Sequence, residues 1–218
     1  MPIKQLLRID NTPVSNFEKK SFLIALISPS GGGKTAILRK ILEQCDNVTY
    51  SISYTTRAPR HNEKNGFDYH FVTEEKFNQM QAEGDFLEHA KVHGCWYGTS
   101  RSFVQSELNK GHHIIMDIDV WGAKQIIKQD IDVITIFILP PSEKEQIARL
   151  KNRGTECDEA IGTRLETAKK EMAEISNFEY LVINDDFDLA VQKVKQIILA
   201  EENKYKRYIN IEKNYYGG

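Results

Sequence analysis

The run Ile24-Ala25-Leu26-Ile27-Ser28-Pro29-Ser30-Gly31-Gly32-Gly33-Lys34-Thr35 sets three glycines, a lysine and a threonine directly behind an apolar stretch. That order suits the binding of a polyphosphate. Glycines let the backbone curl until its N–H groups converge on an anion. A helix opening at Lys34 and Thr35 adds the positive end of its dipole. Lys34 supplies a mobile cation and the Thr35 hydroxyl a hard oxygen for Mg²⁺. The strict phosphate-loop pattern has glycine where Ser28 stands, and an ordinary glycine-rich turn is the plain alternative.

Further along, Arg57 and Arg60 flank Pro59 and present two guanidinium forks on a stiff loop, suited to a phosphate or carboxylate. Taken alone, such a pair also suits a solvated loop. Asp117 and Asp119 close an apolar run, where a parallel strand of a nucleotide-binding sheet carries a carboxylate for the metal. Arg149 and Arg153 are four apart and share a helical face, and Arg164 sits beside the apolar stripe of the next helix. A solvated helix face would explain these three equally well.

The elements that must position these groups are readable from pattern. Residues 22–27, 113–118 and 133–139 are short apolar runs bounded by turn signals, as interior parallel strands are. Residues 48–54 alternate and read as one half-buried strand; 68–72, 86–92 and 180–183 complete the strands. Helices are expected from Thr35, over 74–83 with Gly84 as the stop, over 100–110, around Gln125, from the Ser142 capping box, from Asp158 with a stripe Ile161, Leu165, Ala168, Met172 and Ile175, and over 186–205. Strands alternating with helices give an α/β fold: a parallel sheet covered on both faces, interrupted by an inserted module over 61–97.

The 218 residues carry 29 basic and 31 acidic side chains, a net charge of −2, so a strongly basic nucleic-acid-binding surface is not indicated. Three cysteines, Cys45, Cys95 and Cys157, form no metal-like spacing and fit a reducing compartment. No stretch has the ~20 apolar residues of a membrane span, and residues 1–20 lack a signal-peptide core. A cytoplasmic protein with small-molecule substrates and no nucleic-acid or membrane partner is expected.

From Ser53-Tyr54-Thr55-Thr56-Arg57-Ala58-Pro59-Arg60 onward the sequence resembles the guanylate kinases. The resemblance continues through residues 63–69, Phe86-Leu87-Glu88, Tyr97-Gly98-Thr99, Asp117-Ile118-Asp119, residues 149–156 and Asn184-Asp185-Asp186. It implies a P-loop NTPase core, a GMP-binding module and a mobile lid. The expected layout is an N-terminal arm over 1–20, a kinase domain over 21–205 and a frayed tail over 206–218. Within the domain the core would take 21–54, 100–148 and 172–205, the GMP-binding module about 55–99, and the lid about 149–171.

The resemblance also implies roles. Ser28, Pro29, Ser30, Gly31, Gly32, Gly33, Lys34 and Thr35 would hold the phosphates of ATP, and Asn184 would lie near adenine. Thr35 and Asp117 would serve Mg²⁺. Ser53, Arg57, Arg60 and Tyr69 would grip the GMP phosphate. Glu88, Thr99 and Asp119 would read guanine, with Tyr97 shaping that pocket. Lys34, Arg57, Arg149, Arg153 and Arg164 would neutralise the transferring phosphoryl group. Guanine offers N1–H and N2–H₂ donors to a carboxylate, whereas adenine has no donor at N1. Two other readings stay open: a non-catalytic interaction domain of the same shape, and a kinase acting on another phosphorylated acceptor. Monomer and homo-oligomer are both compatible with the sequence.

Overall fold

A computed structural model describes residues 17–92, 94–152 and 158–215. Its centre is β1 (Leu23–Ile27), every residue of which is buried. Alternate side chains of a strand face opposite ways, so β1 feeds two cores. Phe22, Ile24 and Leu26 pack against Ile37, Leu38 and Ile41 of α1 (Lys34–Gln44) and Ala190, Val191, Val194 and Ile198 of α7 (Phe187–Glu202). Leu23, Ala25 and Ile27 pack against Val104 of α3 (Arg101–Asn109) and Val120, Ala123 and Ile126 of α4 (Val120–Ile127).

Five strands form the main sheet in the order β2-β7-β1-β8-β9, with β2 (Val48–Tyr50), β7 (His113–Ile118), β8 (Val133–Leu139) and β9 (Tyr180–Ile183). All its pairings are parallel; Leu26 stands beside Asp117 on one side and Ile136 on the other. Parallel pairing brings the carboxyl ends of β1 and β7 together. Residues 28–35 and Asp117 and Asp119 therefore share one rim, where ligands of such sheets bind.

The inserted module is a second sheet in the order β4-β3-β6-β5: β3 (Tyr54–Thr55), β4 (His70–Phe71), β5 (Phe86–Val92) and β6 (Cys95–Ser100). Helix α2 (Glu74–Ala82) covers it with Phe77 and Met80 against Phe86. Thr73 caps α2 at the N of Lys76, and Gly84 turns the chain at φ 72°, as the expected stop requires. After β8, α5 (Glu143–Asn152) and α6 (Asp158–Met172) return the chain to β9.

The structure corrects four expectations. Residues 48–54 are not one strand. β2 stops at Tyr50, the Ser51 N–H makes a last bond to the Ile115 carbonyl, and Tyr54 pairs with Gly98 and His70 in the other sheet. Both pieces are half-buried, so their alternation runs on across the break. Ile175 lies in a separate short 3-10 turn rather than in α6. The last long helix ends at Glu202, not Tyr205, and the first part of the tail is not frayed.

Lys19 and Tyr208 form a β-bridge, and the Ile209 N–H reaches the Glu18 carbonyl at 2.9 Å. Arg207 is fully buried. Its guanidinium lies 4.1 Å from the Phe22 ring centroid, 3.3 Å from Glu201 Oε2, and against Asp132. Glu201 is itself 1% exposed and accepts from Tyr180. Removing one partner of a buried ion pair strands the other charge. Arg207→Ala is therefore expected to lower unfolding stability by about 3 kcal/mol, read as a lower urea midpoint. An unchanged midpoint would contradict this account of the tail. A short helix, α8 (Ile211–Tyr215), follows.

Candidate active site

The glycine loop is braced from behind. Gly31 and Gly33 have φ of 87° and 90°, where a side chain would be strained. A Cβ on Gly32 would lie 2.0 Å from Ser28 Oγ, and one on Gly33 would lie 2.4 Å from Asn184 Nδ2. Ser28 thus fits where the strict pattern has glycine, because its hydroxyl folds back onto the Pro29 carbonyl at 2.7 Å and packs on Gly32. Asn184 donates to the Gly32 carbonyl at 2.8 Å, and Gln146 to that of Ser30 at 2.7 Å. Arg149 donates to the Asn184 carbonyl at 3.1 Å and pairs with Glu145 at 3.0 Å.

Lys34 opens α1 and reaches across the rim to donate to the Ile118 carbonyl at 2.9 Å. Asp117 Oδ1 accepts from the Tyr50 hydroxyl at 2.7 Å. Burial, with the Asp117 carboxylate next, pushes the Tyr50 phenol far above its ordinary range, so it stays a donor. Thr35 and Asp117 line the same cavity. Two hard oxygen donors beside a phosphate cradle fit Mg²⁺, which keeps several waters and asks for few protein ligands.

Opposite the loop lies a buried acidic pocket. A register shift in β5 between Phe86 and Glu88 re-aims Glu88. Its Oε1 accepts from Thr99 Oγ1 at 2.7 Å, and the side chain is 6% exposed. Burial raises the Glu88 carboxyl to about 7, with Asp119 pushing the same way and Thr99 opposing. Asp119 caps α4 through the Gly122 N–H at 2.7 Å. A Cβ on Gly122 would lie 2.7 Å from Glu88 Oε2, so a glycine is needed there.

Between these ends, Arg57 forms a two-pronged pair with Glu63, both prongs at 2.9 Å, and donates Nε to the Tyr97 hydroxyl at 3.2 Å. Its guanidinium also lies 5.3 Å from the Tyr69 ring centroid. The Arg57 fork holds the Glu63 carboxyl below the usual carboxylate range. The Tyr97 hydroxyl therefore belongs with this cluster, not with the Glu88–Thr99 pair. Arg60 is exposed on the same loop.

One cavity of about 900 Å³ joins the loop, Ser53, Tyr69, Tyr97, Asp117, Asp119 and Glu88. Thr99 reaches it through Glu88 and Arg57 through Tyr97 rather than as walls, and Arg60 is not among its lining residues. Asn184 and Arg149 are not among the lining residues and brace the loop instead, Asn184 through the Gly32 carbonyl and Arg149 through the Asn184 carbonyl. Arg164 is half-buried on α6, and Arg153 lies outside the described residues. Sequence reasoning missed Glu171, which lines the cavity with Thr167 from one face of α6. Burial raises the Glu171 carboxyl to about 7, with Lys34 pulling it down and Asp119 pushing it up. The i, i+4 spacing of Thr167 and Glu171 was the available signal, and the many charges around them hid it. Among the described residues, no helix is long and apolar enough to cross a membrane.

Comparison with known proteins decides the family. The guanylate kinase family model matches residues 20–201. The chain belongs to the guanylate kinase family. It is 43% identical to the guanylate kinase of Clostridium perfringens over 190 residues, 87% of this chain and 88% of that one. It is 42% identical to that of Thermotoga maritima over 188 residues, 86% and 91% of the two chains. The crystal structure of guanylate kinase from Anaplasma phagocytophilum superposes with a TM-score of 0.74 at 30% identity, covering 92% of this chain and 96% of that one. The α/β core of this guanylate kinase family member and its parallel sheet agree with that likeness.

Proposed function

We propose that this chain transfers the γ-phosphoryl group of MgATP to GMP, giving ADP and GDP. The carrying observation is that a single cavity is walled by the glycine loop with Lys34 on one side and by buried Glu88 with Asp119 on the other. A polyphosphate suits the first wall. A base with two adjacent N–H donors suits the second, and such a site rejects a base that leaves its carboxylate unpaired.

In the reaction an oxygen of the GMP phosphate attacks the γ-phosphorus, and the bond to the β–γ bridging oxygen breaks. The enzyme's task is to align two polyanions and neutralise the charge between them. Residues 28–35 hold the donor phosphates, and Lys34 balances charge developing at the transferred group. Tyr69, Tyr97, Ser53 and the Arg57–Arg60 loop hold the acceptor phosphate. Thr35 and Asp117 would hold Mg²⁺, which supplies charge neutralisation on the donor phosphates when bound. Arg149 and Arg164 would neutralise charge on the transferring group and help keep water from competing as acceptor, a role expected also of Arg153, which lies outside the described residues.

The test is ADP formation from MgATP with and without GMP. ADP matched one for one by GDP, and only when GMP is present, is expected. ADP formed at the same rate without GMP would contradict the acceptor assignment.

A further inference from the structure

The loop that carries Arg57 and Arg60 has no regular structure, and Glu63 is what folds it. Its carboxylate takes three N–H groups: Arg57 Nη2 on Oε1 at 2.9 Å, Arg57 Nη1 on Oε2 at 2.9 Å, and the Arg60 backbone N–H on Oε2 at 2.8 Å. The Glu63 N–H in turn donates to the Arg60 carbonyl at 3.0 Å. Both side chains of the ion pair are mostly shielded, 18% exposed for Arg57 and 17% for Glu63.

A guanidinium has five N–H groups. Arg57 commits Nε to Tyr97, one Nη1 hydrogen to the Ala58 carbonyl, and one hydrogen each from Nη1 and Nη2 to Glu63. That leaves one Nη2 hydrogen outside the hydrogen bonds among the described residues. Arg57 is thus a bracket more than an open fork. Because Arg57 donates to the Tyr97 oxygen, the Tyr97 O–H hydrogen is turned elsewhere, and Tyr97 lines the cavity.

We propose that Glu63 is a positioning residue for the acceptor phosphate. It fixes Arg57, and through Arg57 the Tyr97 hydroxyl, in the arrangement that receives the phosphate, and it ties the backbone of Arg60 to the same place. The inference rests on the GMP reading above. The opposing effect is plain: Glu63 also cancels the Arg57 charge that a phosphate would feel. Ordering wins, because Glu63 makes three bonds within one otherwise exposed loop, and a loop left loose would have to be ordered by the ligand itself.

The experiment compares GMP with guanosine, which lacks the phosphate, by calorimetry on the full chain and its Glu63→Gln and Glu63→Ala variants. Gln keeps the shape and one acceptor but not the charge. GMP affinity is expected to fall about tenfold or more in Glu63→Ala and by less in Glu63→Gln. Guanosine affinity should hold within twofold in both. In steady state the KM for GMP should rise with the KM for ATP and kcat changing far less. Unchanged or tighter GMP binding would overturn the proposal and make Glu63 a competitor for Arg57. An equal loss for guanosine would also overturn it, by showing a merely structural role. Failure of the GMP reading is told apart by the parent chain, which would then bind neither compound.

Discussion

Lys34→Ala is expected to abolish GMP-dependent ADP formation, a loss on the order of 10²–10³ or more in kcat, by analogy with other preorganised groups that meet developing charge. Lys34 starts α1 but does not pack it; Ile37, Leu38 and Ile41 do that. Its ammonium instead bridges from the loop to the Ile118 carbonyl at 2.9 Å, at the rim where β1 and β7 end. The carbonyl it leaves faces a cavity open to water, so the fold should survive. The check is kcat at saturating MgATP and GMP alongside a thermal melt. Near-normal turnover from the folded variant would remove the phosphate-loop assignment.

Glu88→Ala is expected to raise the KM for GMP on the order of 10²–10³-fold while moving that for ATP little, since charge-assisted bonds to both guanine donors are lost. The pH dependence gives an independent handle. The Glu88 carboxyl sits at about 7 instead of its ordinary 4.5. Only the ionised form accepts from both guanine donors, so guanosine binding should strengthen as pH rises through about 7 and then level off. Guanosine is the right ligand because a phosphate monoester titrates near pH ~6 itself. Stability of the ligand-free protein runs the other way. A carboxyl raised on folding favours the folded state below 4.5, and that contribution is lost as pH rises through about 7. Glu171, raised to about 7 as well, adds in the same direction. Glu88→Gln should flatten the guanosine profile. A profile that keeps its inflection would assign the titration to Glu171 or another group.

Much of the positioning frame was legible because it rests on local pattern. β5, β7, β8 and β9 carry the apolar or alternating runs that named them, and the glycine loop is continuous in sequence. What stayed hidden depends on partners far apart or on loops without period. The chain leaves one sheet for another between Tyr50 and Tyr54, yet both sides alternate alike. Arg207 looks like one more charge in a polar tail, and only Glu201, Asp132 and the Phe22 ring make it a buried residue. Glu63 sits six residues from Arg57 across a proline turn, where no helical or strand period relates them. The bond from Asn184 to the Gly32 carbonyl joins residues 152 apart, which no local pattern reveals.

The most direct measurement is ADP release with MgATP and each of GMP, AMP, CMP and UMP in turn. A cavity with a phosphate loop on one wall and Glu88, held by Thr99, with Asp119 on the other predicts turnover with GMP and almost none with AMP, CMP or UMP. Comparable turnover with AMP would contradict the guanine pocket, and no turnover with any acceptor would contradict the kinase itself.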